Sequence, residues 1–223
     1  MVMPATREKA LTERDFERLL QATYRINDDQ QALEVRALIL VGGRLGLRPG
    51  ELTHLSSSWI DWQRQMIRIP AHDPCEKGRH GGLCGYCRQA VEKQTQTSEQ
   101  SFNDLSDQYW QPKTTAAARA VPFHFSSRVQ VALEFLDDEH GGWPYSFSTL
   151  QRRLTTALNH APTLSADATS PHGLRASAAS YHSGRGLDMA ALRAMFGWKD
   201  LETARQYLNV DGAMTRRALT SIH

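Results

Sequence analysis

The chain has 223 residues, of which 40% are hydrophobic and 22% are charged. This length suits one compact domain or two small ones, and the composition excludes a disulfide-stapled miniprotein, a collagen-like repeat and a wholly disordered chain. The 26 basic and 24 acidic residues give a formal net charge of only +2. The N-terminal residues lack the apolar core of a secretory signal, and no apolar run approaches the roughly 20 residues of a membrane span. We therefore expect a cytoplasmic protein with no membrane partner.

The positive charge is unevenly distributed along the chain. Residues 140–223 carry 9 Arg or Lys against 5 Asp or Glu, so the C-terminal part is basic although the whole chain is nearly neutral. Arg outnumbers Lys by 21 to 5, and the guanidinium fork suits two-point contacts to phosphate. The C-terminal part is where we expect a phosphate backbone to bind, although an ordinary charged surface is the alternative on charge alone.

The first part of the chain predicts three helices. Thr12 and Asp15 have the spacing of a capping box, and apolar residues at helical spacing follow them. A second helix is predicted over 31–46, ended by Gly46, and a short third helix over 49–55 starts at a proline. The predicted buried stripe of the second helix is Leu33, Ala37, Leu40, Val41 and Leu45.

The hydrophobic period changes in the middle of the chain. Residues 59–69 predict two short strands around a polar turn. Residues 71–108 break the pattern and are interpreted as an insertion, with 93–101 as its most mobile part. Residues 109–113 and 120–125 predict a hairpin.

The C-terminal part is again predicted to be helical. Ser170-Pro171, Asp188 and Asp200 have the pattern of helix starts. The predicted helices begin at Ser127 and cover 147–158, 171–179, 189–196 and 201–208. The predicted fold class is α+β, mainly α: a helical domain with a small antiparallel sheet.

Three cysteines lie within 13 residues of the insertion, in the segment 75–87. An odd, crowded set favours a metal site over a disulfide framework. Cys84 and Cys87 have the spacing of half a zinc knuckle, and Cys75 adds a third thiol. His80 or His72 is predicted to complete a structural zinc site, with His80 favoured, whereas three free thiols in a loose insertion are the alternative.

Four segments together carry a family resemblance: GLRPGEL (46–52), PKTTAAARAVPF (112–123), HGLR (172–175) and FGWKDLETARQYL (196–208). In this order and spacing, the chain resembles the catalytic domain of the tyrosine recombinases, the phage-integrase family, over roughly residues 10–210. The resemblance implies a DNA breaking-rejoining type of fold. It assigns catalytic roles to Arg48, Lys113, His172, Arg175, Trp198 and Tyr207. Arg119 is a rival of Lys113, and Glu51 is interpreted as a structural partner of Arg48.

The chemistry of phosphoryl transfer supports the same roles. Negative charge develops on the phosphoryl oxygens, so two positioned guanidinium groups, Arg48 and Arg175, lower the barrier. His172 can accept the proton of the Tyr207 hydroxyl, whose reference pKa is about 10. Tyr207 would then form a 3′-phosphotyrosyl intermediate. Lys113 is expected to protonate the leaving oxygen, and Trp198 to donate its indole N–H to the phosphate.

The resemblance implies a site-specific recombinase or integrase of a mobile element that acts on double-stranded DNA attachment sites. It implies a homo-tetramer in the synaptic complex, a monomer when free, and no cofactor for catalysis. Residues 1–223 would form one catalytic domain with the insertion 71–108, and the family's N-terminal core-binding domain is expected to be absent. The alternatives are a topoisomerase-like enzyme and a non-catalytic, zinc-stabilised DNA-binding regulator.

Overall fold

Short, capped helices make up most of the protein, which is described here from a computed structural model covering residues 10–112, 117–207 and 219–220. The helices in this part of the chain are α1 (Glu13–Ala22), α2 (Asp29–Leu40), α3 (Pro49–His54), α4 (Gly85–Thr95), α5 (Phe102–Ser106), α6 (Ser127–His140), α7 (Phe147–Asn159), α8 (Ala166–Thr169), α9 (Pro171–Gly184), α10 (Met189–Phe196) and α11 (Leu201–Arg205). The strands are β1 (Ile60–Asp61), β2 (Met66–Ile69) and β3 (Arg119–Pro122). The predicted fold class, mainly helical with a small antiparallel sheet, is confirmed.

Polar side chains start the helices where the sequence predicts them. The Thr12 hydroxyl accepts the backbone N–H of Asp15 at 3.1 Å, which satisfies one of the unpaired donors in the first turn of α1. Ser170, Asp188 and Asp200 cap α9, α10 and α11 in the same way. The predicted helix starts at these four positions are confirmed.

Helix α2 lies at the centre of the helical core, where it contacts α1, α6 and α7. The predicted stripe is correct except at Leu33, which is 48% exposed. The buried face of α2 instead includes Glu34, whose carboxylate accepts hydrogen bonds from Tyr145 Oη at 2.9 Å and pairs with Arg153 at 2.8 Å. Because these partners compensate the charge of the carboxylate, Glu34 can be buried where the apolar pattern predicted its neighbour Leu33.

The three strands form one antiparallel sheet in the order β1-β2-β3. The register pairs Ile60 with Ile67, and Ile67 with Val121. The two predicted strands within 59–69 are therefore confirmed, but the predicted hairpin between 109–113 and 120–125 is wrong. Strand β3 pairs with β2, whereas the backbone of 109–110 bonds to that of residues 73 and 75 in the insertion. The backbone hydrogen-bonding groups of 109–110 are thus satisfied outside the sheet.

The insertion contains two helices that pack against each other, α4 and α5. Residues 93–95, which the sequence assigned to a mobile loop, form the last turn of α4. The insertion is anchored to the core by its buried side chains, which include Val91 and Leu105, and Trp110, just after it, is buried as well. Among the described residues, none of the helices has the length and apolar character required to cross a bilayer.

Candidate active site and cysteine cluster

A π-helical turn over Val41–Leu45 ends helix α2 and leads into the first predicted catalytic residue. Gly46 follows it with φ 64°, a left-handed conformation that favours glycine. A Cβ atom at Gly46 would also lie 2.3 Å from the ring of Phe196. The glycine therefore allows the chain to reverse closely against α10 and to place Arg48 beside it.

Arg48 is the N-cap residue of α3, and Glu51 fixes it there. The backbone N–H of Arg48 donates to Glu51 Oε2 at 2.6 Å, and its Nη1 donates to Oε1 at 2.9 Å. Arg48 Nη2 also donates to the carbonyl oxygen of Gly197 at 2.5 Å. Two of the five N–H groups of the guanidinium are used in these side-chain contacts. The sequence interpretation of Glu51 as a structural partner agrees with this geometry.

Glu51 is fully buried and lies among three guanidinium groups. Arg119 donates to it from Nη1 at 2.8 Å and from Nη2 at 3.0 Å, and its Nε donates to the Met195 carbonyl at 2.6 Å. Burial would raise the pKa of Glu51, but the hydrogen bonds and charge of Arg119, with the charges of Arg175 and Arg48, hold it below its ordinary value. Three cations facing one carboxylate leave an excess of positive charge in this region. The Arg119 guanidinium is thus engaged in a buried ion pair with Glu51.

Helix α9 contributes the second guanidinium and the predicted base. Arg175 Nη2 donates to the Phe196 carbonyl at 2.6 Å, and its Nη1 donates to the carbonyl of Gly46. Burial lowers the pKa of Arg175, and Glu51 opposes that shift; an arginine still remains protonated at neutral pH. His172 lies one turn earlier on the same helix and is exposed.

The C-terminal aromatic residues form a stack beside Arg175. Trp198 lies between Phe196, at 4.8 Å and 20° between rings, and Tyr207, at 5.3 Å and 7°. Tyr207 is only 6% exposed. Burial raises the pKa of the Tyr207 hydroxyl, and the charge of Arg175 partly offsets this. The tyrosine is therefore protonated at neutral pH and needs a base to become a nucleophile.

One pocket of about 570 Å³ connects these elements. Its walls include Tyr86 from the insertion and Trp110, which follows the insertion. Lys113, the sixth residue of the predicted catalytic set, lies outside the described residues. The other five residues of that set line the pocket: Arg48, His172, Arg175, Trp198 and Tyr207.

The three cysteines form a buried cluster next to this pocket, but the fourth member differs from the prediction. The ligand atoms of His54, Cys75, Cys84 and Cys87 lie within 4.8 Å of one another. His80 is exposed and outside this group, and so is His72. The predicted fourth ligand is wrong because His54, at the end of α3, is the imidazole that the fold buries against the thiols.

Sequence reasoning missed His54 and the buried pairing of Arg119. His54 is separated from Cys75 by 21 positions, so no short motif joins them. Its one local signal is a histidine at the end of a short helix, and that is common in proteins without metal sites. The pairing of Arg119 with Glu51 spans 68 positions and depends on strand β3 joining the sheet.

Known structures share this fold. The crystal structure of XerA recombinase aligns with 100% of this chain at a TM-score of 0.58 and 17% identity. The Tn1549 transposon integrase in complex with transposon right end DNA aligns with 96% of this chain at a TM-score of 0.61 and 16% identity. XerH site-specific recombinase bound to difH substrate, a pre-cleavage complex, aligns with 100% of this chain at a TM-score of 0.59 and 17% identity. The chain spans 66%, 65% and 56% of these three structures, respectively.

The sequence profile of the phage integrase family matches residues 9–214. No curated protein matches the chain significantly. Because the profile covers most of its length, the chain belongs to the phage integrase family. The expected resemblance to tyrosine recombinases is thereby confirmed.

Proposed function

We propose that this chain is the catalytic domain of a site-specific DNA recombinase that cuts and rejoins strands through Tyr207. The observation that carries the proposal is the pocket in which two arginines, a histidine, a tryptophan and this tyrosine meet. Membership of the phage integrase family supports it. Known structures of similar fold are recombinases and integrases, some of them bound to DNA.

The positive pocket suits a phosphodiester. Arg48 and Arg175 are oriented by carbonyl oxygens of the chain, so little reorganisation is needed when charge develops on the phosphoryl oxygens. Each guanidinium uses two of its five side-chain N–H groups in the contacts described above, and others are proposed to grip the non-bridging oxygens. The excess of positive charge around Glu51 favours binding of one anionic phosphate.

In the proposed first step, the Tyr207 oxygen attacks phosphorus while the bond to the 5′ oxygen breaks. His172 accepts the tyrosine proton, and Lys113 supplies a proton to the leaving 5′ oxygen. The DNA 3′ phosphate remains bound to Tyr207. A 5′-hydroxyl of the partner strand then gives its proton to Lys113 and attacks the phosphorus, Tyr207 leaves and takes its proton back from His172, and the phosphodiester bonds are conserved in number. The step needs neither ATP nor a divalent metal.

The substrates are proposed to be double-stranded attachment sites of a mobile element. Exchange between two duplexes requires several active sites, so we propose a homo-tetramer in the synaptic complex and a monomer in the free protein. For a protein that acts on DNA, we propose a cytoplasmic location.

Covalent trapping tests the proposal. Short duplexes from the DNA that flanks the gene are nicked just past each candidate cut, so that the released fragment diffuses away and religation fails. We expect a slowly migrating protein–DNA band on a denaturing gel, which Tyr207→Phe lowers by at least about 10³-fold while DNA binding persists. Tyr181→Phe, a tyrosine outside the pocket, is the matched control and keeps the band.

Three outcomes would overturn the proposal. Adduct formation by the Tyr207→Phe protein at the wild-type rate would exclude this nucleophile. DNA binding without any adduct on all duplexes would favour a non-catalytic DNA-binding regulator. Relaxation of supercoiled DNA by a monomer, without strand exchange, would instead identify a topoisomerase.

A further inference from the structure

The cysteine cluster brings four possible metal ligands, one imidazole nitrogen and three sulfurs, to within 4.8 Å of one another. Nε2 of His54 lies 3.4 Å from Cys75 Sγ, 3.6 Å from Cys84 Sγ and 3.3 Å from Cys87 Sγ. Zinc bonds of roughly 2.3 Å to sulfur and 2.0–2.1 Å to nitrogen, arranged tetrahedrally, separate nitrogen from sulfur by about 3.5 Å. The three distances from the imidazole nitrogen to sulfur are close to that value.

Hydrogen bonds around the cluster prepare its ligand atoms. Nδ1 of His54 lies 2.8 Å from the Gly50 carbonyl oxygen. Because a carbonyl oxygen only accepts, Nδ1 carries the hydrogen, and Nε2 offers its lone pair to the centre. The backbone N–H of Cys84 donates to Cys75 Sγ, and that of Cys87 donates to Cys84 Sγ, both at 3.4 Å. Hydrogen bonds donated to sulfur favour the thiolate form of a cysteine over the neutral thiol.

Two further features favour anionic sulfur here. Cys84 caps the N-terminus of the 11-residue helix α4, and Cys87 lies in its first turn, where the helix dipole favours negative charge. Lys77, between Cys75 and Cys84 in the chain, donates to the carbonyl oxygens of Thr53 and Trp143. A dication with three thiolates and a neutral imidazole carries one negative charge, which the Lys77 ammonium offsets.

We propose that His54, Cys75, Cys84 and Cys87 bind one structural zinc ion that fixes a wall of the active-site pocket. The ion would join the end of α3, whose N-cap is Arg48, to the start of α4. Tyr86, between two of the cysteines, lines the pocket. Trp110, which stacks on His54 at 5.4 Å and 20°, lines it as well. All four ligand positions come from the protein, so the zinc holds structure and takes no part in the reaction.

Metal content tests this proposal independently of strand cleavage. Protein purified without chelators should contain about one zinc per chain, the number that a single four-ligand site holds. We expect His54→Ala and Cys87→Ser to lower this to below about 0.3 per chain. His80→Ala and His72→Ala are matched controls, because these exposed histidines lie next to the cysteines in sequence, and both should retain the full content. Reconstitution with Co²⁺ should give the visible absorption of a tetrahedral, thiolate-bound ion.

A measurement on the unmodified protein covers the case in which His54→Ala or Cys87→Ser fails to fold. An organomercurial reagent that blocks thiols should release the zinc in proportion to the cysteines modified, as read with a chromogenic chelator. The proposal would be overturned by a wild-type content below about 0.3 zinc per chain. It would also be overturned if folded His54→Ala kept its zinc while His80→Ala lost it, or if zinc remained bound after all thiols were blocked.

Discussion

The two ends of helix α3 lie in two different regions, one rich in guanidinium cations and one rich in cysteine thiols. At its start, Arg48 lies in a pocket where Glu51 and backbone carbonyls hold the cations in place. At its end, His54 lies in a cluster where three cysteines converge on one point. The first region is organised by groups of the chain itself, whereas thiolates repel one another and need a cation between them. We infer that the pocket is shaped for an incoming anion and the cluster for a resident cation.

This contrast predicts that the two regions can be disrupted separately. A change in the pocket should impair strand cleavage and leave the metal content unchanged. A change in the cluster should remove the metal and lower stability, with a smaller effect on cleavage. Loss of both properties from a single conservative change in either region would contradict the division.

The largest effect is expected for Arg175→Lys. Lysine keeps the positive charge but cannot reproduce the fork that holds two carbonyl oxygens and is proposed to hold a phosphate at the same time. We expect adduct formation to fall about 10³-fold, in the range found when one stabilising donor is removed from a transition state. Single-turnover trapping measures this rate. Arg193→Lys, at an exposed position on α10, should change the rate by less than about twofold, and zinc content should be unchanged in both variants.

Glu51→Gln tests the charge balance of the pocket through stability. The substitution leaves Arg48 and Arg119 without their buried anion, and breaking such a pair costs about 3–5 kcal/mol. Because the pKa of Glu51 in the folded protein lies below its ordinary value of 4.5, the carboxylate contributes its full stability above about pH 4.5 and loses it as the pH falls through the folded-state pKa.

Urea unfolding of wild type and Glu51→Gln at a series of pH values measures this difference. The gap in the free energy of unfolding should be constant from about pH 7 down to about pH 5 and should narrow below that. A gap that widens on acidification would show that Glu51 is not held as an anion. The variant is also expected to lose cleavage activity, since the Arg48 side chain loses a charged partner.

Removal of the proposed zinc ion is expected to have the smallest effect on cleavage. If zinc stabilises the folded state by binding, stripping it with a chelator should lower the melting temperature by at least about 4 °C, and added Zn²⁺ should restore it. Adduct formation at a temperature well below melting should fall by less than about tenfold, because the metal positions a wall and does not react. Complete loss of cleavage, with folding intact, would place the metal in the chemistry.

Much of the active site could be predicted from sequence because its residues lie in short motifs with fixed spacing. His172 and Arg175 share one turn of α9, and Trp198 and Tyr207 flank one short helix. The caps at Thr12, Asp188 and Asp200 were predictable for the same reason, since each is a local hydrogen bond. Local patterns therefore identified these helix starts and five of the residues that line the pocket.

The features that sequence reasoning missed depend on contacts between distant segments. His54 joins the cysteines only because α3 packs against the insertion, and a nearer histidine, His80, has the better local spacing. Strand β3 pairs with β2 instead of forming the predicted hairpin with 109–113, and this pairing joins segments that are distant in sequence. Burial of Glu34 in place of Leu33 follows from partners on α7 and in the loop before it. None of these partners is visible within a single motif.

The most direct test of the account is to identify the amino acid that becomes joined to DNA. The trapped adduct is digested with protease and nuclease, and the peptide that carries the nucleotide is sequenced by mass spectrometry. The account predicts a nucleotide on Tyr207, the tyrosine stacked on Trp198 beside Arg175. A nucleotide on Tyr86, which lines the same pocket, or on any other residue would contradict it.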